Sequence, residues 1–283
     1  MSRARRGRSR RHVFSTIAHR LAVVAVLCYL VFPVFWMLVT SLLPASDLLR
    51  LDPDVAFSKM NLSTYGQLLT DPSFLLPLRN SALVASVTAL SSVILGSLAA
   101  YGIARFRFPG RRAVMIMMLG GQMVPAVVLV IPLFLILRDV GLLDTVEGLM
   151  VTYVGFIMPI VVWMLVGFFE GVPVSLERAA RIDGCSRIGV LVRVIAPISG
   201  TALVAAVIFA FISAWSDLFI ALVLTAGNSI TLPVEVANFE GLFVMQYRSA
   251  AAAGIITLVP VLLLAAVFQK WIVAGLTEGV VKG

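Results

Sequence analysis

The chain has 283 residues, of which 60% are hydrophobic and only 13% are charged. Soluble domains carry about 25% charged residues, so this composition excludes a soluble enzyme, a disordered scaffold and a secreted disulfide framework. The net charge of +8 indicates first the excess of basic residues on one side of a membrane protein, and only second a surface that binds nucleic acid.

Six apolar stretches are long enough to cross a bilayer, because a hydrocarbon core about 30 Å thick needs about 20 apolar residues in a helix. Backbone groups in lipid must be paired within their own segment, which favours helices over the shorter, alternating strands of a barrel. We therefore predict an all-α membrane protein with a six-helix domain over 21–268, preceded by the segment 1–20 and followed by the tail 269–283. The predicted spans are 21–43, 80–104, 113–137, 148–169, 198–225 and 250–268.

The basic residues predict how these spans are oriented. Six spans place both termini on one side, together with the second and fourth connections, and that side holds 17 of the 22 basic residues. Basic residues are enriched on the cytoplasmic side of membrane proteins. We therefore expect a multi-pass protein of a bacterial cytoplasmic membrane with both termini in the cytoplasm.

The Arg-rich segment 1–20 has three interpretations. Ser9-Arg10-Arg11 resembles the start of a twin-arginine export signal, but the apolar run behind it exceeds the roughly 7–15 residues of a signal peptide, and no cleavage site follows. A nucleic-acid-binding role would favour aromatic residues among the arginines, and the run from Arg3 to Arg11 has none. We therefore predict contact with anionic lipid head groups and no nucleic-acid partner.

The connection 170–197 is the most informative segment. We expect Ser175 to cap a helix from Leu176 to Asp183, and Gly184 to end it in the left-handed conformation that glycine adopts easily. Two alanines, Ala179 and Ala180, would leave a low-profile surface that another protein can approach closely.

This connection also carries a family resemblance. The run Glu177–Gly184, followed by Val194-Ile195-Ala196-Pro197, resembles the EAA signature of ATP-binding-cassette importer permeases. The six-helix layout, Trp215-Ser216-Asp217 and the tail from Phe268 are similar to the maltose-type sugar permeases. The resemblance implies the type I importer fold, with a coupling helix seated in a cleft of the ATPase subunit. The docking residues that it implies are Glu177, Ala179, Ala180, Asp183 and Gly184.

The sequence departs from that signature at two positions. Arg178 stands where the family usually has glutamate, with Glu177 one step earlier, and Ala196 replaces a leucine. The alternative interpretation of the segment is an ordinary charged loop helix, which the spacing and position of the signature disfavour.

Several forms of chemistry are absent from the sequence. The three lysines are followed by Met60, Trp271 and Gly283, so none belongs to a P-loop. Both histidines precede the first span, which disfavours an intramembrane metal or protease site. We predict no catalytic residue, metal site or cofactor in this chain. Any ATP and Mg²⁺ would bind to a partner ATPase.

Four residues are candidates for a transport pathway, because a sugar is bound by hydrogen bonds and aromatic faces. Gln122 lies near mid-depth of the third span and faces either the pathway or a neighbouring helix. Trp215 either stacks on a sugar or packs in the bundle. Asp217 is an acid inside a span, and Asn238 lies in the loop 226–249, which in related permeases contacts the external binding protein.

These observations favour a permease subunit of a binding-protein-dependent importer for a sugar or sugar derivative. It would pair with a second permease subunit, two copies of a cytoplasmic ATP-binding subunit and an extracytoplasmic solute-binding protein within the lipid bilayer. A membrane scaffold with no transport role is one alternative, and an ion-coupled secondary transporter that acts alone is the other. Asp217 is the only ionisable residue in the predicted spans that could carry its proton or cation.

Overall fold

The computed structural model describes residues 3–44, 59–239 and 246–278, and this part of the chain is helical without a strand. The helices are α1 (Arg3–Leu42), α2 (Ser63–Leu68), α3 (Pro72–Arg105), α4 (Arg111–Gly121), α5 (Ala126–Asp139), α6 (Val146–Gly171), α7 (Val174–Ile182), α8 (Arg187–Val190), α9 (Gly200–Trp215), α10 (Phe219–Leu224), α11 (Leu232–Asn238) and α12 (Tyr247–Glu278). Within these described residues, four continuous stretches are long and apolar enough to cross a membrane. They are His19–Leu42, Pro72–Arg105, Val146–Gly171 and Tyr247–Lys270.

The third predicted span corresponds to a bent pair of helices, and the fifth overlaps a second bent pair that runs from Arg187 to Trp215. The described residues thus hold six spans if each pair crosses once. The third predicted span is divided into α4 and α5, which meet at a bend of 96°. Two glycines end α4, and Pro125 precedes α5 with a φ of −59°. Proline has no N–H to continue the helix, so the chain turns between Gly121 and Pro125.

The fifth predicted span also differs from one continuous helix. The chain from Arg187 to Ile198, which contains a π-helical turn at Leu191–Ile195, meets α9 at a bend of 88°. At its other end α9 stops at Trp215, and α10 begins at Phe219. Oδ1 of Asp217 accepts backbone hydrogen bonds from Ile220 and Ala221. This local pairing competes with continuation of α9, because it occupies backbone donors at the start of the next helix.

The chain forms two compact units. In the smaller, α1 packs closely on the start of α12, where the Cβ position of Gly254 lies 2.9 Å from Sδ of Met37. Arg248 of the same unit donates to Asn61 Oδ1 and, at 3.2 Å, to Ser63 Oγ. The close contact at Gly254 therefore joins α1 to the start of α12, and Arg248 joins the start of α12 to α2 and the residues just before it.

The larger unit is built around α3 and α6. The Cβ position of Gly96 in α3 lies 2.9 Å from Cγ1 of Val161 in α6, so the two helices approach more closely than a larger residue would allow. Asp71 caps α3 by accepting from the backbone N–H of Ser73 at 2.9 Å. This hydrogen bond lowers the pKa of the exposed Asp71 carboxyl, because it stabilises the charged form.

The segment 226–232 is tied to this unit by side-chain hydrogen bonds. Asn80 Nδ2 donates to the carbonyls of Asn228 and Ile230 at 2.8 and 2.9 Å, and Ser81 Oγ accepts from the N–H of Leu232 at 2.7 Å. Asp144 Oδ1 accepts from the N–H of Ala226 at 2.7 Å. Polar residues in the first half of α3 and in the connection between α5 and α6 therefore fix the segment that leads into α11.

Candidate functional site

The helix α7 occupies the connection between the fourth and fifth spans and ends with a complete C-terminal motif. The N–H of Gly184 donates to Arg181 O at 3.2 Å, and the N–H of Cys185 donates to Ala180 O at 2.9 Å. Gly184 has a φ of +88°, as predicted for a left-handed stop. The start differs from the prediction, because α7 begins at Val174 after Pro173, and Ser175 lies inside the helix.

One face of α7 is turned toward the rest of the chain. Glu177 is only 7% exposed and forms an ion pair with Arg105, the last residue of α3. The Arg105 guanidinium also donates to the carbonyl of Val172 at 2.9 Å, just after the end of α6. One arginine thereby joins the ends of α3 and α6 to the first turn of α7.

The opposite face of α7 is open in this chain. Residues 176, 179, 180 and 183 follow a spacing of three and four, so they share a helix face. On this face Ala179 and Asp183 lie farthest from Glu177, and Ala180 lies at the edge next to it. Leu176 is 44% exposed, Ala179 and Asp183 are exposed, and Ala180 is half-buried. Of the five predicted docking residues, Ala179 and Asp183 therefore lie on the open face, Ala180 lies at its half-buried edge, Gly184 ends the helix, and Glu177 lies on the inner face.

A second ion pair lies beside the first. Arg111, at the start of α4, pairs with Glu170 near the end of α6, and both side chains are partly exposed. Arg105 and Arg111 belong to the basic residues whose distribution predicts the orientation of the spans, but that distribution does not predict their partners. Pairing of this kind depends on which helix ends meet, and no local spacing in the sequence shows that.

The predicted pathway residue Gln122 lies at the bend between α4 and α5. Its Nε2 donates to the carbonyl of Phe156 in α6 at 3.1 Å, while the side chain stays exposed. Pro159 has no N–H for the carbonyl of Gly155, so this part of α6 already has a locally weakened backbone ladder. Gln122 therefore links the bend between α4 and α5 to the interrupted part of α6, and part of its amide remains exposed.

Trp215 and Asp217 lie close in sequence, but each has its own partners. Trp215 is 2% exposed, stacks on Phe211 with ring centroids 5.7 Å apart, and donates from Nε1 to Thr257 O at 3.0 Å. Asp217 is half-buried and accepts from the Tyr153 hydroxyl. The indole donor of Trp215 and the Oδ1 oxygen of Asp217 are thus used within the bundle.

Asn238 is the last residue of α11 and is exposed, with Nδ2 at 3.3 Å from Glu235 Oε2. The predicted contact between this loop and the binding protein also involves residues 240–245, which lie outside the described residues. Within the described ranges, no hydrogen bond joins any two of Gln122, Trp215, Asp217 and Asn238. The same ranges contain no group of three side chains able to hold a metal ion.

Comparison with known proteins decides the family. Residues 92–278 match the family described as binding-protein-dependent transport system inner membrane component. The chain belongs to this family. Its curated relatives include the trehalose/maltose transport system permease protein MalG of Thermococcus litoralis. MalG is 37% identical to this chain, over 92% of this chain and 94% of that protein. The trehalose transport system permease protein SugB of Mycobacterium tuberculosis is 39% identical, over 90% of this chain and 93% of its own length.

Solved structures show the same fold for this inner membrane component. A chain of a bacterial ABC transporter involved in the import of the acidic polysaccharide alginate superimposes with a TM-score of 0.78 at 24% identity, covering 95% of this chain and 98% of that one. The protein is thus a multi-pass permease subunit of a binding-protein-dependent importer, and ATP hydrolysis belongs to a separate subunit of such importers. Family membership decides against the ion-coupled transporter that acts alone.

Proposed function

We propose that this permease forms half of the pathway through which a sugar or sugar derivative enters the cell. The relatives named for trehalose and maltose support this substrate class, since the similarity extends over nearly the whole chain. In the proposed assembly a second permease subunit completes the pathway, and an extracytoplasmic solute-binding protein delivers the substrate. Two copies of a cytoplasmic subunit bind ATP and Mg²⁺.

The observation that carries the proposed coupling role is the two-faced helix α7. Its inner face is fixed to α3 and α6 through Glu177 and Arg105, while its outer face presents Ala179 and Asp183. Small side chains permit close approach by another protein, and a helix fixed on one side moves together with the elements that hold it. We assign the outer face to the ATPase and Glu177 to positioning α7 within the loop 170–197.

The proposed topology places both termini and α7 in the cytoplasm, as the distribution of basic residues favours. Closure of the ATPase pair would then displace α7, and the Arg105–Glu177 and Arg111–Glu170 pairs would pass that displacement to the ends of α3, α4 and α6. A packed bundle that has two arrangements converts such a displacement into alternating access.

Four residues are proposed along the substrate pathway, with different roles. Gln122 has an exposed amide at a helix break and is the proposed direct contact. Trp215 and Asp217 hold neighbouring helices in place around the pathway, through Thr257 and Tyr153. Asn238 lies at the exposed end of α11, where we propose contact with the solute-binding protein.

The decisive experiment changes the outer face without touching the inner one. Ala179→Leu adds bulk to an exposed position of α7, and Ala113→Leu makes the same change at an exposed position of α4. Both variants are purified with the co-expressed ATPase subunit and assayed for ATP-dependent uptake of radiolabelled trehalose in proteoliposomes with the solute-binding protein. We expect Ala179→Leu to lose the ATPase subunit and uptake, and Ala113→Leu to keep both.

Two outcomes would contradict parts of this proposal separately. Full assembly and uptake in Ala179→Leu would show that the ATPase docks elsewhere. Normal assembly of the unaltered protein without uptake of trehalose, maltose or other sugars would leave the coupling site intact but overturn the substrate class.

A further inference from the structure

A cavity of about 440 Å³ lies between the end of α3, the start of α4 and the inner face of α7. This volume is within the range of about 300–1,000 Å³ that is usual for small-ligand sites. Glu177 is the only carboxylate among its lining residues. Six of the lining residues are arginines, namely Arg105, Arg107, Arg111, Arg178, Arg181 and Arg187.

Half of these arginines already have partners. Arg105 and Arg111 form the two ion pairs described above, and the guanidinium of Arg187 lies 4.6 Å from the centre of the Phe106 ring. The other three, Arg107, Arg178 and Arg181, are exposed and form no ion pair with any side chain that the structure describes. The cavity therefore has a surplus of positive charge that its own walls do not neutralise.

The position of the cavity along the chain indicates its depth in the membrane. Arg105 ends α3, which is long enough to span the bilayer, and Arg111 begins α4, the first half of a bent span. The third wall, α7, starts three residues after the end of α6. Three spans thus end around the cavity, which places it at the level of the lipid head groups.

Aromatic side chains complete the walls. Tyr101 and Phe106 both line the cavity and contact each other edge to face, with ring centroids 6.2 Å apart. Phe106 is 37% exposed, and Phe108, which follows two residues later outside the cavity lining, is 38% exposed. Aromatic rings next to basic side chains are typical of the boundary between the apolar core of a membrane and its head groups.

We propose that this cavity binds the phosphate head group of an anionic phospholipid. Guanidinium groups bind phosphate through paired hydrogen bonds, and basic pockets between membrane helices are suited to lipid head groups. An acidic group of a docked protein fits less well, because the face of α7 toward the cavity is opposite the open face with Ala179 and Asp183. The lipid site needs only the membrane position of these helices, whereas the argument against a docked protein rests on the proposed docking role of the outer face of α7.

The test measures lipid binding to the assembled transporter, purified in a neutral detergent with its co-expressed subunits. Dioleoylphosphatidylglycerol is titrated, bound lipids are counted by native mass spectrometry, and dioleoylphosphatidylcholine is the neutral reference. The variant Arg107→Gln/Arg181→Gln removes two unpaired cavity arginines. The control, Arg112→Gln/Arg193→Gln, removes two exposed arginines that do not line the cavity.

We expect the cavity variant to bind phosphatidylglycerol about tenfold more weakly at its tightest site, and the control to bind it normally. A second variant, Arg107→Gln/Arg178→Gln, should behave like the first, so that poor folding of one variant leaves the test intact. Equal binding in wild type and both cavity variants would overturn the proposal.

Two further results would replace the lipid by another ligand. Binding of glycerol phosphate or inorganic phosphate alone, with the same arginine dependence and with displacement of the lipid, would assign the cavity to a soluble anion. Loss of the ATPase subunit from the cavity variants with unchanged lipid binding would assign it to protein docking. Either result overturns the proposal.

Discussion

The hydroxyl of Tyr153 in α6 donates a hydrogen bond of 2.8 Å to Oδ1 of Asp217, the one acid in the predicted spans. The same oxygen accepts from the N–H of Ile220 at 3.0 Å and from that of Ala221 at 3.3 Å. Asp217 therefore links α6 to the start of α10 and is occupied in holding them. This arrangement suits a structural acid better than one that exchanges ions during transport.

Removing the Tyr153 hydroxyl should lower the stability of the helix bundle, and transport should still be driven by ATP. We expect Tyr153→Phe to lose about 1–3 kcal/mol of stability, because the hydrogen bond is to an acidic side chain. Thermal unfolding in detergent measures this loss. Uptake in proteoliposomes by Tyr153→Phe and Asp217→Asn should still require ATP and resist a protonophore, and uptake driven by a proton gradient without ATP would contradict this.

The buried ion pair of Arg105 and Glu177 predicts how single and double substitutions change the stability of the protein. Removing either partner leaves an uncompensated charge, so Arg105→Met or Glu177→Met should each cost about 3–5 kcal/mol. The double variant should be more stable than either single variant, because neither charge is then left behind. Unfolding midpoints of the four proteins measure the coupling, and strictly additive losses would show that the pair is not energetically joined.

Gly184 should be sensitive to substitution for a purely conformational reason. No atom lies within 4 Å of the position where a Cβ would be added, but its φ of +88° is unfavourable for other residues. Gly184→Ala should therefore cost about 1–2 kcal/mol locally. Hydrogen exchange of the last turn of α7 measures it, with Gly200→Ala as the control at an open position with ordinary φ. Equal exchange in the two variants would contradict the assignment.

The contact between α3 and α6 predicts a steric effect at Gly96. Gly96→Ala places a methyl group 2.9 Å from Cγ1 of Val161, whereas Gly102→Ala in the same helix meets nothing within 4 Å. We expect a loss of about 1–3 kcal/mol in the first variant and none in the second. Adding Val161→Ala should restore part of the loss, as thermal unfolding would show, and a failure to do so would place the clash elsewhere.

Asn80 should control the order of the segment that precedes α11. Its amide supplies both hydrogen bonds to Asn228 and Ile230, so Asn80→Ala leaves two carbonyls without that donor. We expect faster hydrogen exchange over residues 226–232 and weaker stimulation of ATP hydrolysis by the solute-binding protein. Asn238→Ala is the comparison, since it changes the proposed docking end of α11 but not this attachment. Unchanged exchange in Asn80→Ala would contradict the prediction.

The main features of the fold could be predicted because they depend on local composition. A long apolar run must be helical in lipid, and glycine after Asp183 ends a helix wherever the chain goes. The bend near Gln122 and the helix break after Trp215 are less evident from the sequence. A proline after two glycines predicts the bend, but the break depends on Asp217 accepting backbone hydrogen bonds, and it interrupts an apolar pattern that continues to Leu224.

The inner partners of the candidate site could not be predicted from the sequence. Arg105 and Glu177 are 72 positions apart, and only the meeting of three helix ends brings them together. The charge pattern explained where the arginines are but not which of them are paired. Glu177 shows the difference, because the family resemblance predicted a docking residue and the structure places its carboxylate inside the chain.

The inner face of α7 is held by contacts within this chain, and its outer face is the proposed contact with a partner. Glu177 is held by Arg105 within this chain, whereas Ala179 and Asp183 contact no other element through a described hydrogen bond or ion pair. Under the proposed assignment of the outer face to the ATPase, we expect substitutions there to alter which ATPase is accepted while the permease keeps its architecture. Grafting that face alone onto a related permease should exchange ATPase compatibility between transporters, without exchanging their substrates.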